Sequence, residues 1–341
     1  MRDKKFDLSL LTELLIPFQE ILARDDITEL VINQPGIVAV ETRKGWEWIE
    51  DDRFDMARLQ RVAKLVANST SQTLDATKPL LSAVLPTGER VQVVAPPAVD
   101  EGSFSMTIRK PSSTKLSLDD LDNYGLFKKT AKGGEVVDPV KDELAGLFNA
   151  GEWAKFLRAA VIGKQNILIS GSTGSGKTTL SKALIAEIPL DERLLTIEDT
   201  RELEAPHKNV VHMIYSKGGQ GKAPISAKEL LEASLRMRPD RILLQELRDG
   251  TAFYYLRNVN SGHPGSITTV HADSAELAFE QLTLLVKESD GGSDLARDDI
   301  RAMLTSLVDV VVQAKKVEGE FSVTEIWWGG ATKKAELRYA A

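Results

Sequence analysis

The run Ile167-Leu168-Ile169-Ser170-Gly171-Ser172-Thr173-Gly174-Ser175-Gly176-Lys177-Thr178 has three parts: a short apolar strand, a turn of glycine and hydroxyl residues, and a lysine that opens a helix. Together they make a phosphate-binding loop. Glycines at 171, 174 and 176 let the backbone fold tightly enough for its N–H groups to point at phosphate, and the helix start adds the positive end of its dipole. Lys177 is the residue to reach the β- and γ-phosphates of ATP, and the Thr178 hydroxyl the one to bind Mg²⁺. Ser172, Thr173, Ser175 and Thr179 complete the nucleotide-facing set. The expectation is a P-loop ATPase.

Hydrolysis needs a group that polarises water, commonly a carboxylate at the C-terminal end of a neighbouring strand. Two runs qualify: Ile242-Leu243-Leu244-Gln245-Glu246 and Leu194-Leu195-Thr196-Ile197-Glu198-Asp199. In an open α/β sheet both ends face the crevice that holds the P-loop. Glu246 is the expected base for the attacking water, with Glu198 and Asp199 tuning the Mg²⁺ shell. An acid after a strand is also a common helix cap, so it is the P-loop upstream that raises both above that reading.

His271 follows the apolar run 266–270, where a neutral imidazole senses the γ-phosphate or its water. Standing alone it would read as an ordinary structural histidine. The four histidines, at 207, 212, 263 and 271, match no zinc spacing. Arg90 and Arg109 stand at or near the ends of strand-like runs, 90–95 and 104–109; surface ion pairs are their default, and phosphate contact follows if the first domain folds over the nucleotide. Arg201, Arg236, Arg238 and Arg248 are further candidates for phosphate or for a neighbouring subunit's site.

From 152 onward apolar runs alternate with helical spacing. Strands are expected at 194–197, 242–244, 266–270 and 307–312, and helices from Trp153, over 227–237 and over 275–287. This is α/β. Residues 1–110 read differently, as a smaller α+β domain: a helical stripe over 6–22 (Leu11, Leu14, Leu15, Phe18, Leu22), strands at 28–33, 38–41 and 46–49, then a helix over 55–67. The stripe is expected to pack on its own domain in preference to lipid. Residues 111–151 turn polar around Lys132-Gly133-Gly134 and are read as a linker containing short helices such as 118–127, with the second domain over 152–341.

Apolar residues make up 42% of the 341 and charged residues 27%, which excludes a disordered or fibrous chain. A net charge of −7 argues against stable nucleic-acid binding as the main task, although the glycine-rich basic stretch 217–222 could touch a strand. The absence of cysteine removes disulfides and thiolate metal sites. No run nears the ~20 apolar residues of a membrane span, and residues 1–20 lack a secretory pattern, so a cytoplasmic protein is expected.

Four segments in order resemble the traffic ATPases of type IV secretion and conjugation, relatives of the pilus-retraction and type II secretion ATPases. They are the P-loop, the acidic box Thr196-Ile197-Glu198-Asp199-Thr200-Arg201-Glu202, the strand from Arg241 to Arg248 with Glu246, and the histidine box from Gly262 to His271. In the first domain, the segments around Arg90 (85–97) and Arg109 (105–111) look like those with which the family contacts nucleotide. The resemblance spans nearly the whole chain. It implies a RecA-like P-loop motor domain preceded by a smaller α+β N-terminal domain. It further implies a homohexamer that contacts other cytoplasmic and inner-membrane components of a secretion machine, bound peripherally at the inner membrane's cytoplasmic face. Gln245 departs from the family's usual small residue there, leaving the metal to Thr178, waters and Glu198. The lack of cysteine sets the chain apart from the pseudopilus-assembly branch, which carries a four-cysteine zinc subdomain. Two other readings stay open on sequence: a RecA-like nucleic-acid motor, and a nucleotide-gated docking scaffold.

Overall fold

The computed structural model describes residues 9–111, 116–132, 139–216, 223–260 and 262–331. Apolar residues at helical spacing turn one face of α1 (Ser9–Leu22) inward, burying Leu11, Leu15, Phe18, Ile21 and Leu22. The expected stripe is therefore core in its described part, with Phe18 edge-on to Phe54 at 4.8 Å; residues 6–8 lie outside the described residues. After β1 (Ile27–Gln34), β2 (Ile37–Thr42) and β3 (Gly45–Glu50) comes α2 (Met56–Ser69), whose first turn is capped by Asp55. The strands β4 (Leu80–Val84), β5 (Arg90–Val94) and β6 (Ser105–Arg109) complete a six-stranded antiparallel sheet ordered β3-β2-β1-β6-β5-β4. The strand β4 was not anticipated, because Pro79 and Pro86 flank a run only five residues long.

In the stretch read as linker, α3 (Leu118–Asn123) ends before the expected residue 127 and buries no side chain. Next, α4 (Pro139–Asn149) packs into the C-terminal core through Leu144 and Ala145, with Val140, Leu147 and Phe148 beside them. Its apolar period was obscured by the polar residues upstream.

The C-terminal unit alternates α5 (Trp153–Ile162), β7 (Ile167–Ser170), α6 (Lys177–Ala186), β8 (Leu194–Glu198), β9 (Val210–Ile214), α7 (Ala227–Ser234), β10 (Arg241–Leu244), α8 (Thr251–Asn260), β11 (Ile267–Val270), α9 (Ala275–Lys287), α10 (Arg297–Leu307), β12 (Val310–Val317) and β13 (Glu320–Trp328). Ladders join β9-β8-β10 and β11-β7-β12-β13, and a bridge between Glu246 and Thr269 connects the two sets. All neighbours are parallel except β12 and β13. Strand alternation splits the core: Leu168, Leu195, Ile242 and Val270 pack with α7 to α10, whereas Ile167, Ile169, Leu194 and Leu243 pack with α4 to α6. The helix expected over 227–237 stops at Ser234, and the strand expected from 307 starts at Val310 because Leu307 still closes α10.

The N-terminal sheet meets the amino-terminal ends of β8, β9 and β10. The fully buried Arg193 donates from Nη1 to Asn33 Oδ1 (2.8 Å) and to Asn209 Oδ1, from Nη2 to Thr107 Oγ1 (3.5 Å), and from Nε to the Met237 carbonyl (2.9 Å). Nearby, Arg238 clasps Glu41 with two bonds, one of 2.9 Å, while its own backbone takes φ 57°.

Candidate active site

Buried β7 delivers the loop to the carboxyl edge of the sheet, and α6 leaves from it. Between them Gly174 (φ 72°) and Gly176 (φ 89°) adopt the left-handed backbone that L side chains resist. A Cβ on Gly171 would collide with the Ala314 carbonyl and Ser175 Oγ. That Oγ is buried with no hydrogen-bond partner among the described residues, while Thr178 and Thr179 are exposed at the helix start. An orphaned hydroxyl and two open ones around a tight backbone cradle fit the phosphates and metal of a bound nucleotide.

Lys177 Nζ folds back over the loop, donating to the carbonyls of Gly171 (2.7 Å) and Ser172 (2.9 Å) and lying 3.5 Å from His271 Nδ1. Burial holds its pKa below the usual lysine value. On the far side of the same imidazole, Nε2 is 2.9 Å from Glu246 Oε1. Glu246 Oε2 is 2.6 Å from Arg248 Nη2, and Arg248 Nη1 is 2.6 Å from Asp199 Oδ2. The bond to Glu246, more than any other contact, pushes the Arg248 guanidinium further up from its already high pKa. Four segments thus contribute to one chain of contacts, Lys177-His271-Glu246-Arg248-Asp199.

This geometry follows from topology. Because β11 lies between β7 and β10, the residue just past β11 (His271) stands between the residues just past the other two (the P-loop and Glu246). The alternation of strands in sequence shows that such a sheet exists but not its strand order.

Other expected residues lie elsewhere. Glu198 is buried, and its carboxylate accepts from the backbone N–H groups of Leu203 (2.9 Å) and Glu202 (3.1 Å). Burial pushes its pKa up to about 7. Arg90 and Arg109 face each other across β5 and β6, and Arg109 lies 3.5 Å from Glu29. Neither arginine makes a hydrogen bond or ion pair to the P-loop among the described residues. Arg201 pairs with Asp100, and Arg238 with Glu41 and Asp240. The basic stretch 217–222 lies outside the described residues.

The family described as Type II/IV secretion system protein matches residues 143–319, the span that contains every member of this contact chain. The VirB11 type IV secretion system protein of Bartonella henselae is 54% identical over 92% of this chain and 91% of its own. The chain belongs to the type II/IV secretion ATPase family. A second family member, the VirB11 protein of Brucella suis, is 42% identical over 94% of this chain and 91% of its own. The crystal structure of the Brucella suis VirB11 ATPase with sulphate superposes with a TM-score of 0.89, covering 95% of this chain and 99% of that one. Agreement at that level makes the α/β architecture with its separate N-terminal sheet a shared family fold. Within the site, the bridge from Asp199 through Arg248 to Glu246 was not anticipated. Its only sequence signal is that the acid and the arginine stand two residues apart after a strand.

Proposed function

We propose that the chain is the ATP-hydrolysing motor of a type IV secretion or conjugation machine, working with Mg²⁺ as a homohexamer at the cytoplasmic face of the inner membrane. The observation that carries the proposal is the convergence of Lys177, His271 and Glu246 at the P-loop. In this reading, phosphate oxygens replace the Gly171 and Ser172 carbonyls as acceptors for Lys177. Glu246, held by Arg248, orients water toward the γ-phosphate, and His271 registers the state of that phosphate through its place between Lys177 and Glu246. Thr178 is the residue to hold Mg²⁺, with Asp199 in support through water. When bound, the ion would neutralise negative charge on the phosphates.

The N-terminal sheet meets the amino-terminal strand ends at Arg193 and Arg238, and neither Arg90 nor Arg109 bonds to the P-loop of the same chain among the described residues. The proposal therefore assigns Arg90 and Arg109 to the nucleotide of an adjacent copy, which makes assembly part of catalysis. The test is ATP turnover by wild type and Lys177→Ala, with native mass measured in the same buffers. Turnover and a six-fold mass in wild type, with turnover lost in the variant, support the motor. Undiminished turnover in Lys177→Ala contradicts it.

A further inference from the structure

Beyond its last ladder partner with β7, Gln313 opposite Ser170, β12 continues with β13 as a two-stranded arm. The arm turns at Glu318 (φ 51°) and Gly319 (φ 92°), between the paired residues Val317 and Glu320. Two residues at positive φ form the tight turn whose twist matches that of the flanking strands, so the arm's register is fixed. That register sets Phe321 opposite Lys316, whose Nζ lies 5.8 Å from the ring centre.

Phe321 reaches the P-loop. A Cβ built on Gly176 would sit 3.2 Å from its Cδ1 and 3.5 Å from its Cγ, so the ring is in van der Waals range of the loop backbone where α6 begins. Even so, the residue is 69% exposed, so part of its large apolar ring is left open beside a phosphate cradle.

The site has a direction. Glu246 and His271, on the β10 and β11 side of β7, mark where the reacting terminal phosphate goes. The arm lies on the opposite side of β7. A nucleotide lying along the loop with its γ-phosphate at Lys177 and Glu246 extends its base toward the arm. We propose that Phe321 forms the base-side wall of the nucleotide site, stacking its exposed ring on the purine. The inference rests on the ATPase reading and adds to it the residue that distinguishes a nucleotide from a bare polyphosphate.

The test compares ADP with inorganic tripolyphosphate, which has phosphates but no base, as ligands of wild type, Phe321→Ala and Phe321→Trp. Stacking on an aromatic ring predicts that Phe321→Ala weakens ADP binding about 5- to 100-fold while tripolyphosphate affinity stays within about twofold. Phe321→Trp retains ADP affinity, and its emission, relative to wild type, changes with ADP and not with tripolyphosphate. Unchanged ADP affinity in Phe321→Ala overturns the proposal. So does a parallel loss of both ligands, which would mean that the ring only props up the loop. A wild type that binds neither ligand overturns the ATPase reading itself, an outcome distinct from both.

Discussion

Arg248 is bonded at once to Glu246 and to Asp199, each at 2.6 Å, so one guanidinium ties the acid after β10 to the acid after β8. Both carboxylates have little solvent around them, with side-chain exposures of 10% and 12%. The planar fork fixes the Glu246 carboxylate more firmly than a point charge would. Lysine in its place keeps the charge and loses the fork. Arg248→Lys and Arg248→Ala are both expected to lower kcat by about 10- to 100-fold, measured by steady-state phosphate release. A Lys variant as active as wild type would show that charge alone suffices.

The proposed site divides the nucleotide's charge between the Lys177 side chain and a metal held by Thr178. Thr178→Ala is expected to raise the Mg²⁺ concentration needed for half-maximal turnover by about tenfold, the cost of roughly one good ligand hydrogen bond. Chelation of Mg²⁺ is expected to stop wild-type turnover. Mg²⁺ titrations of both proteins check this, and identical curves would remove Thr178 from the metal site.

Two buried carboxyls are expected to make stability fall with rising pH. Burial pushes Glu29 and Glu198 up to about 7 from a usual value of 4.5. Between those limits the folded chain retains protons that the unfolded chain has released, so unfolding free energy decreases as pH rises through the window and levels off above about 7. Two such shifts correspond to a combined fall of several kcal/mol, about 3 kcal/mol per group. Glu29→Gln, which removes a charge whose Oε2 is buried with no hydrogen-bond partner among the described residues, is expected to flatten part of the slope. Urea midpoints from pH 4.5 to 8 measure it.

Arg193 holds the two units together through acceptors on both. Removing it leaves Asn33, Asn209 and the Met237 carbonyl short of a donor and opens a cavity, at a cost of about 2–5 kcal/mol. Arg193→Ala is expected to lose that stability in chemical denaturation while the P-loop residues remain intact.

That the P-loop, Glu246 and His271 lie at the carboxyl ends of buried strands was legible, because each pairs a buried strand with a residue type that a strand end seldom carries by accident. Strand order was not legible, and it is the order that sets His271 between Lys177 and Glu246. Glu198 shows the limit of reading by position. It ends a strand at the right edge, yet its carboxylate turns back to accept from Glu202 and Leu203, a choice set by local backbone geometry. Short or polar-flanked elements such as β4, α4 and β9 were missed because their burial comes from tertiary neighbours more than from their own period. The arm carrying Phe321 alternates weakly, since most of β13 is solvent-facing.

In the proposed mechanism hydrolysis depends on the Glu246 carboxylate. Glu246→Gln keeps the shape of the side chain and removes its charge, so ATP turnover and ATP affinity measured on the same preparation separate binding from chemistry. The prediction is a loss of turnover of about 100-fold or more with ATP affinity within a few fold of wild type. Turnover at the wild-type rate would contradict it and place the water-activating group elsewhere.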